Sequence, residues 1–159
     1  MPRATRMLLL LALLAVAGCG RAARIEIRAD NSPGSRPLNP DPTAPDESRP
    51  VDLRIYQLRG HEAFATADFD ALWRDAAAVL GKDLLAGPQT VTVLPGDGMV
   101  KPRRIALGAW SKEARSLGVL ALFPEPDSDR DRRRVVVSAW HADDYVLVLS
   151  GNGIAFRRH

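Results

Sequence analysis

Val51–Leu58 reads Val-Asp-Leu-Arg-Ile-Tyr-Gln-Leu, with apolar residues at alternate positions. Successive side chains along a strand point to opposite faces, so Val51, Leu53 and Ile55 share one face and Asp52, Arg54 and Tyr56 the other. A chain with this period must fold as a half-buried strand. The signature recurs in Arg24-Ile25-Glu26-Ile27-Arg28, and further strand signals follow at 90–94, 104–107, 118–123, 134–138 and 145–149. Ser150-Gly151-Asn152-Gly153 is a turn that makes residues 154–157 a last hairpin arm. Pro95-Gly96-Asp97-Gly98 is a strong turn. Short strands at regular spacing predict a mainly β chain, a two-sheet β-sandwich with a short helical insertion.

The insertion covers residues 62–81. Phe69, Leu72, Trp73, Ala76 and Leu80 recur at helical spacing and form one apolar stripe. Asp68 suits the N-cap, Asp70 the first turn and Gly81 the stop. Phe64 is expected beside the helix start, and the aromatic residues are expected to pack against a sheet.

Two segments break the pattern. Residues 30–50 hold Pro33, Pro37, Pro40, Pro42, Pro45 and Pro50, half of the chain's 12 prolines. Proline removes amide donors and blocks helix, so this is a long loop, a kind of segment that is often functional. Residues 124–134, Pro-Glu-Pro-Asp-Ser-Asp-Arg-Asp-Arg-Arg-Arg, carry charge dense enough to demand water and are expected to form a solvated hairpin tip.

The N-terminus is organised for export. Arg3 and Arg6 precede an unbroken apolar run at 7–17, followed by Gly18 and Cys19. The run is too short for a comfortable membrane span, which needs about 20 apolar residues. Val16-Ala17-Gly18-Cys19 has the form of a lipobox, in which small residues admit cleavage before a lipid-bearing cysteine. Cys19 is the only cysteine, so an internal disulfide is impossible, and lipidation accounts for an otherwise odd free thiol. The expected organisation is a signal peptide at 1–18 and a periplasmic sandwich at 19–159. Cleavage removes Arg3 and Arg6, and with them two of the three net positive charges. The remaining charge is no argument for nucleic-acid binding, which needs a clustered basic face. Gly20 follows the cysteine; Asp there retains many Gram-negative lipoproteins at the inner membrane, so its absence points to the outer membrane.

No catalytic set emerges. Ser138, His141, Asp143 and Asp144 crowd in sequence, but a hydrolase triad is defined by geometry, and no Gly-x-Ser-x-Gly elbow surrounds any serine. His61 and His159 are isolated, which leaves a metal without ligands at useful spacing. Gly96-Asp97-Gly98 lacks the rest of a phosphate-binding loop. No catalytic residue, metal or cofactor is expected beyond a covalent lipid on Cys19.

The order of features is more specific than any one of them. The lipobox cysteine and first strand are followed by a Pro-rich loop with Leu38-Asn39-Pro40-Asp41, then Arg49-Pro50 and the Val51–Leu58 strand. After it come Ala67-Asp68-Phe69-Asp70-Ala71-Leu72-Trp73, Leu80-Gly81-Lys82-Asp83-Leu84-Leu85 and Leu94-Pro95-Gly96. Across most of residues 19–123 this resembles the TssJ (VasD/SciN) family, the outer-membrane lipoproteins of type VI secretion. The chain departs from the family pattern where Phe123 is followed by Pro124 and Arg132-Arg133-Arg134 stands near an expected Trp.

The resemblance implies a transthyretin-like sandwich at the inner leaflet of the outer membrane, facing the periplasm. It implies binding to the periplasmic part of TssM, an inner-membrane protein that also joins TssL, with a loop between the first two strands taking part. That loop corresponds to residues 30–50. Leu38, Asn39 and Asp41 are its expected contacts, with Arg36 at the edge. The rival reading is an outer-membrane lipoprotein that binds a small hydrophobic or peptide ligand in the sandwich.

Overall fold

A computed structural model describes residues 24–29, 49–123, 132–140, 145–151 and 153–158. The expected signal peptide and lipobox, and most of the Pro-rich segment, lie outside them.

Among the described residues, β1 (Arg24–Ala29), β2 (Val51–Leu58), β3 (Leu84–Val93), β4 (Arg103–Ala106), β5 (Ser116–Leu122), β6 (Arg134–Ser138), β7 (Tyr145–Ser150) and β8 (Gly153–Arg158) form two four-stranded sheets. The orders are β4-β1-β7-β8 and β3-β2-β5-β6. This is the expected transthyretin-like arrangement. Every pairing is antiparallel except β1 with β7. Ile25, Ile27, Leu53, Ile55, Leu117, Val119, Leu147 and Leu149 meet between the sheets as a buried core.

The sheet holding β2 is buried on both faces, which explains a departure from simple alternation. Gln57 faces the inner side, while Tyr56 and Leu58 on the outer side are as buried as the core. They are covered by α1 (Glu62–Thr66) and α2 (Phe69–Leu80). Phe64 drops from α1 onto this face, its ring centroid 5.7 Å from that of Tyr56. Gly118 on β5 makes the room: a Cβ there would lie 2.9 Å from both Leu58 and the Phe64 ring. Phe64→Ala empties the centre of this second core and is expected to cost about 3–5 kcal/mol of stability. A urea titration checks it, and a loss below 1 kcal/mol would contradict the packing described.

The helix stripe is confirmed, with Phe69, Leu72, Ala76 and Leu80 buried. Asp68 caps as expected, its carboxylate accepting from the Ala71 amide at 2.9 Å. One difference is a break at Asp75 (φ −150°, ψ 78°). The Asp75 carboxylate accepts from the Ala78 amide at 3.0 Å, acting as a second N-cap inside the stripe. The carbonyl of Trp73, just before the break, accepts from the Arg54 guanidinium, which lies 4.1 Å from the Trp73 ring centroid.

β3 begins at Leu84, earlier than the alternation at 90–94 indicates. Gly87-Pro88 hides the first part of the strand, since proline cannot donate to a ladder. β3 is an edge strand, where proline is tolerated, and its register with β2 shifts between Ile55 and Gln57. Gly87 has φ 118°, and a Cβ there would meet the Ile55 carbonyl at 2.7 Å.

The basic run also differs from a purely solvated tip. Residues 124–131 lie outside the described set, but the arginines after them are used. Arg133 stacks its guanidinium 3.9 Å from the Phe69 ring centroid. Arg134 donates to the carbonyls of Phe64, Ala65 and Ala67 at 3.0, 3.2 and 2.6 Å. The last turn of α1 contains no basic residue, and β6 supplies the cation that its carbonyls attract.

Candidate functional site

Strand register gives the sandwich two distinct ends. At the near end lie Arg24, where β1 starts, its register partner Ala106, and the ends of β2, β6 and β8. At the far end lie Ala29 and Val51, which flank the Pro-rich loop, together with Val93, Leu122 and Ser150. The six residues of β1 separate the ends by about 17 Å at 3.3 Å per residue. Both ends of the long loop therefore open on the side of the sandwich away from the start of β1.

Beside this mouth stands the turn between β3 and β4. The amide of Ala29, the last residue before the loop, donates to the Asp97 carbonyl at 2.7 Å. The Asp97 carboxylate accepts from the Leu94 amide at 3.1 Å and from Arg103 at 2.7 Å. Gly98, at φ 74°, lies so close to β1 that a Cβ would fall 2.3 Å from the Ile27 carbonyl. The turn is thus clamped to the root of the loop. It presents Leu94, Met99 and Val100 to solvent, and Leu122 is exposed at the same end of β5. These apolar side chains are a part of the candidate surface that sequence reading missed. The turn signal was visible, but nothing local distinguishes an exposed leucine from a buried one.

The expected site residues Arg36, Leu38, Asn39 and Asp41 lie outside the described residues, as do Cys19, Val16, Ala17 and Gly18. So do His141, Asp143 and Asp144. Among the described residues no group of His, Cys, Asp and Glu has the arrangement of a metal site. Tyr56 is the described group with a perturbed proton affinity. Burial raises its phenol above the usual value of about 10, and the Arg54 charge pulls the other way. Such a phenol stays neutral at physiological pH and offers no acid–base chemistry there.

The sandwich interior is filled by side chains. The pocket at Gly87, Pro88 and Gly108, about 360 Å³, lies at the strand irregularity and opens at the surface. Its wall is held by two glutamines. Gln57 donates to the Ala109 carbonyl at 3.0 Å and accepts from the Ser111 amide at 2.8 Å. Gln89 donates to the Ala106 carbonyl at 2.9 Å. This geometry does not favour a ligand buried in the sandwich.

Fold and surface together define a small sandwich scaffold that presents loops from one end. The profile described as "Type VI secretion lipoprotein, VasD, EvfM, TssJ" matches residues 24–152. The chain belongs to this type VI secretion lipoprotein family. It is similar to the crystal structure of the T6SS lipoprotein TssJ1 from Pseudomonas aeruginosa, with 25% identity over 87% of this chain and 97% of that one, at TM-score 0.64. A chain of a structure described as "Type VI membrane complex" is 26% identical over 86% of this chain and 97% of its own, at TM-score 0.68. A chain of a structure described as the T6SS protein TssM C-terminal domain from EAEC shares the fold, at 24% identity, 87% and 98% coverage, and TM-score 0.65. No curated protein matches. Among the described residues no helix is long and apolar enough to cross a membrane.

Proposed function

We propose that this chain is a non-enzymatic subunit of a type VI secretion membrane complex, anchored through lipid on Cys19 to the inner leaflet of the outer membrane. It faces the periplasm and binds the periplasmic part of a TssM-like inner-membrane protein, and through it TssL. The reading is supported by family membership and by the likeness to chains in structures described as a type VI membrane complex and as a TssM C-terminal domain.

The observation that carries the orientation is the polarity of the sandwich. Only residues 20–23 separate Cys19 from β1, a reach of about 18 Å even when fully extended. The near end is therefore tethered close to the bilayer, and the loop at 30–50 leaves from the far end. An anchored domain of this kind searches in two dimensions, so a modest affinity suffices once the partner crosses the periplasm.

The test is co-purification of the full chain with a tagged periplasmic domain of a TssM-like protein from the same organism. A stoichiometric complex is expected. Absence of any complex at micromolar concentrations would sink the reading.

A further inference from the structure

We propose that the near end of the sandwich is itself a membrane-contact surface that seats on anionic phospholipid headgroups through Trp140 and a group of cations. The proposal rests on the anchoring of Cys19, but its contact residues are all described ones. Trp140 follows β6 and is 80% exposed, whereas Trp110 on the neighbouring segment is packed against the core. An indole combines an apolar body with an N–H donor, the side-chain chemistry that settles at a bilayer interface.

The surroundings of Trp140 are basic. It lines a pocket of about 270 Å³ with Arg59, Lys112, Glu113 and Arg115. The pocket is built from backbone: the Arg115 amide donates to the Leu58 carbonyl and the Ala139 amide to the Arg115 carbonyl, both at 2.9 Å. Arg59 donates to Glu113 from both Nε and Nη2, which neutralises the acid of this pocket. Lys112 and Arg115 are exposed.

The same end extends to the anchor. Ala106 pairs in register with Arg24, and residues 107–115 run from there to Trp140. Arg158 lies opposite Tyr145 at the same end of the other sheet, with Arg157 next to it. Among the described residues, the acids at this end are Glu113, held by Arg59, Asp83 beside Gly60, and Glu62 at the start of α1. The exposed cations Arg24, Lys112, Arg115, Arg157 and Arg158 outnumber them. Each cation near an anionic surface adds attraction that salt screens within a Debye length. A lipid chain fixes distance from the bilayer but not tilt; a Trp and flanking cations fix tilt as well.

The full chain is expressed with its leader, purified from membranes and reconstituted into vesicles of phosphatidylethanolamine and phosphatidylglycerol with brominated acyl chains. The brominated lipid is expected to quench part of the tryptophan emission, and Trp140→Phe to abolish that part. Exchanging phosphatidylglycerol for phosphatidylcholine, or introducing Lys112→Glu with Arg115→Glu, should weaken quenching at least twofold. Equal quenching of wild type and Trp140→Phe overturns the proposal. So does a photo-crosslinker at position 140 that captures a protein in place of phospholipid. Intact mass separates the two readings: lipid on Cys19 without quenching removes the contact alone, and absence of lipid removes both.

Discussion

Deleting residues 36–45 is expected to leave the sandwich folded and to lower affinity for the TssM-like domain by about a thousandfold. Two contact side chains worth about 2 kcal/mol each, the usual threshold for residues that dominate an interface, give a loss of this size. Leu38, Asn39 and Asp41 are the candidates, and single changes to Ala should divide the loss among them, with Arg36→Ala near neutral. Prolines on either side of these residues restrict the loop before binding, so less entropy is lost on contact than in a glycine-rich loop.

The fold should survive because the ends of the loop are held independently. Ala29 is bonded to the Asp97 turn and paired with Leu149, and Val51 is paired with Val93. Halving a loop changes its closure free energy by only about 0.6 kcal/mol. The residues that remain still bridge the roughly 10 Å between packed sheets. Circular dichroism melting checks the fold and surface plasmon resonance the affinity. Unchanged affinity in the deletion would end the assignment of this loop as the contact. Leu94, Met99 and Val100 would then be the next surface to substitute, since they are exposed and clamped to the loop's root.

Cys19→Ser is expected to abolish lipid incorporation completely. The side-chain oxygen cannot replace the thiol that receives the diacylglycerol, and no second cysteine is present to compensate. Each buried methylene of an acyl chain contributes about 0.8 kcal/mol to membrane affinity, so losing the chains removes far more than surface charges can restore. Labelled palmitate should mark the wild type and leave Cys19→Ser blank, with the unprocessed leader visible as a larger species. Equal labelling of the two would falsify the anchor. Co-purification with the TssM-like domain should persist in the variant once solubilised, because β1 starts at the end of the sandwich opposite Ala29 and Val51, the roots of the loop.

Much of the fold was legible because a half-buried strand writes its period into the chain. The alternating runs at 24–28 and 51–58 lie in strands, as do the apolar runs at 134–138 and 145–149 and residues 104–106, with Leu107 just past the end of β4. The Asp68 cap and Gly81 stop were equally visible, because capping depends on residue type at one position. The start of β3 was not, since Gly87-Pro88 imitates a loop when the edge position that tolerates it is unknown. The break at Asp75 was also missed: an aspartate within a helical stripe reads as a solvated residue until its carboxylate is seen to cap Ala78. Arg133 and Arg134 looked like part of a charged tip, yet both act on the helical layer, from the far side of the chain in sequence.

The sequence alone determined the strands, the helical insertion, the lipobox pattern and the unusual loop, because each is a local consequence of side-chain period, capping or backbone restriction. Only the tertiary structure decided which strands became neighbours and that one sheet is buried on both faces. It also decided which tryptophan is exposed, and that the long loop leaves from the end opposite the start of β1. Those features depend on register between segments far apart in the chain, and a one-residue shift in register reverses a strand's faces without changing its period.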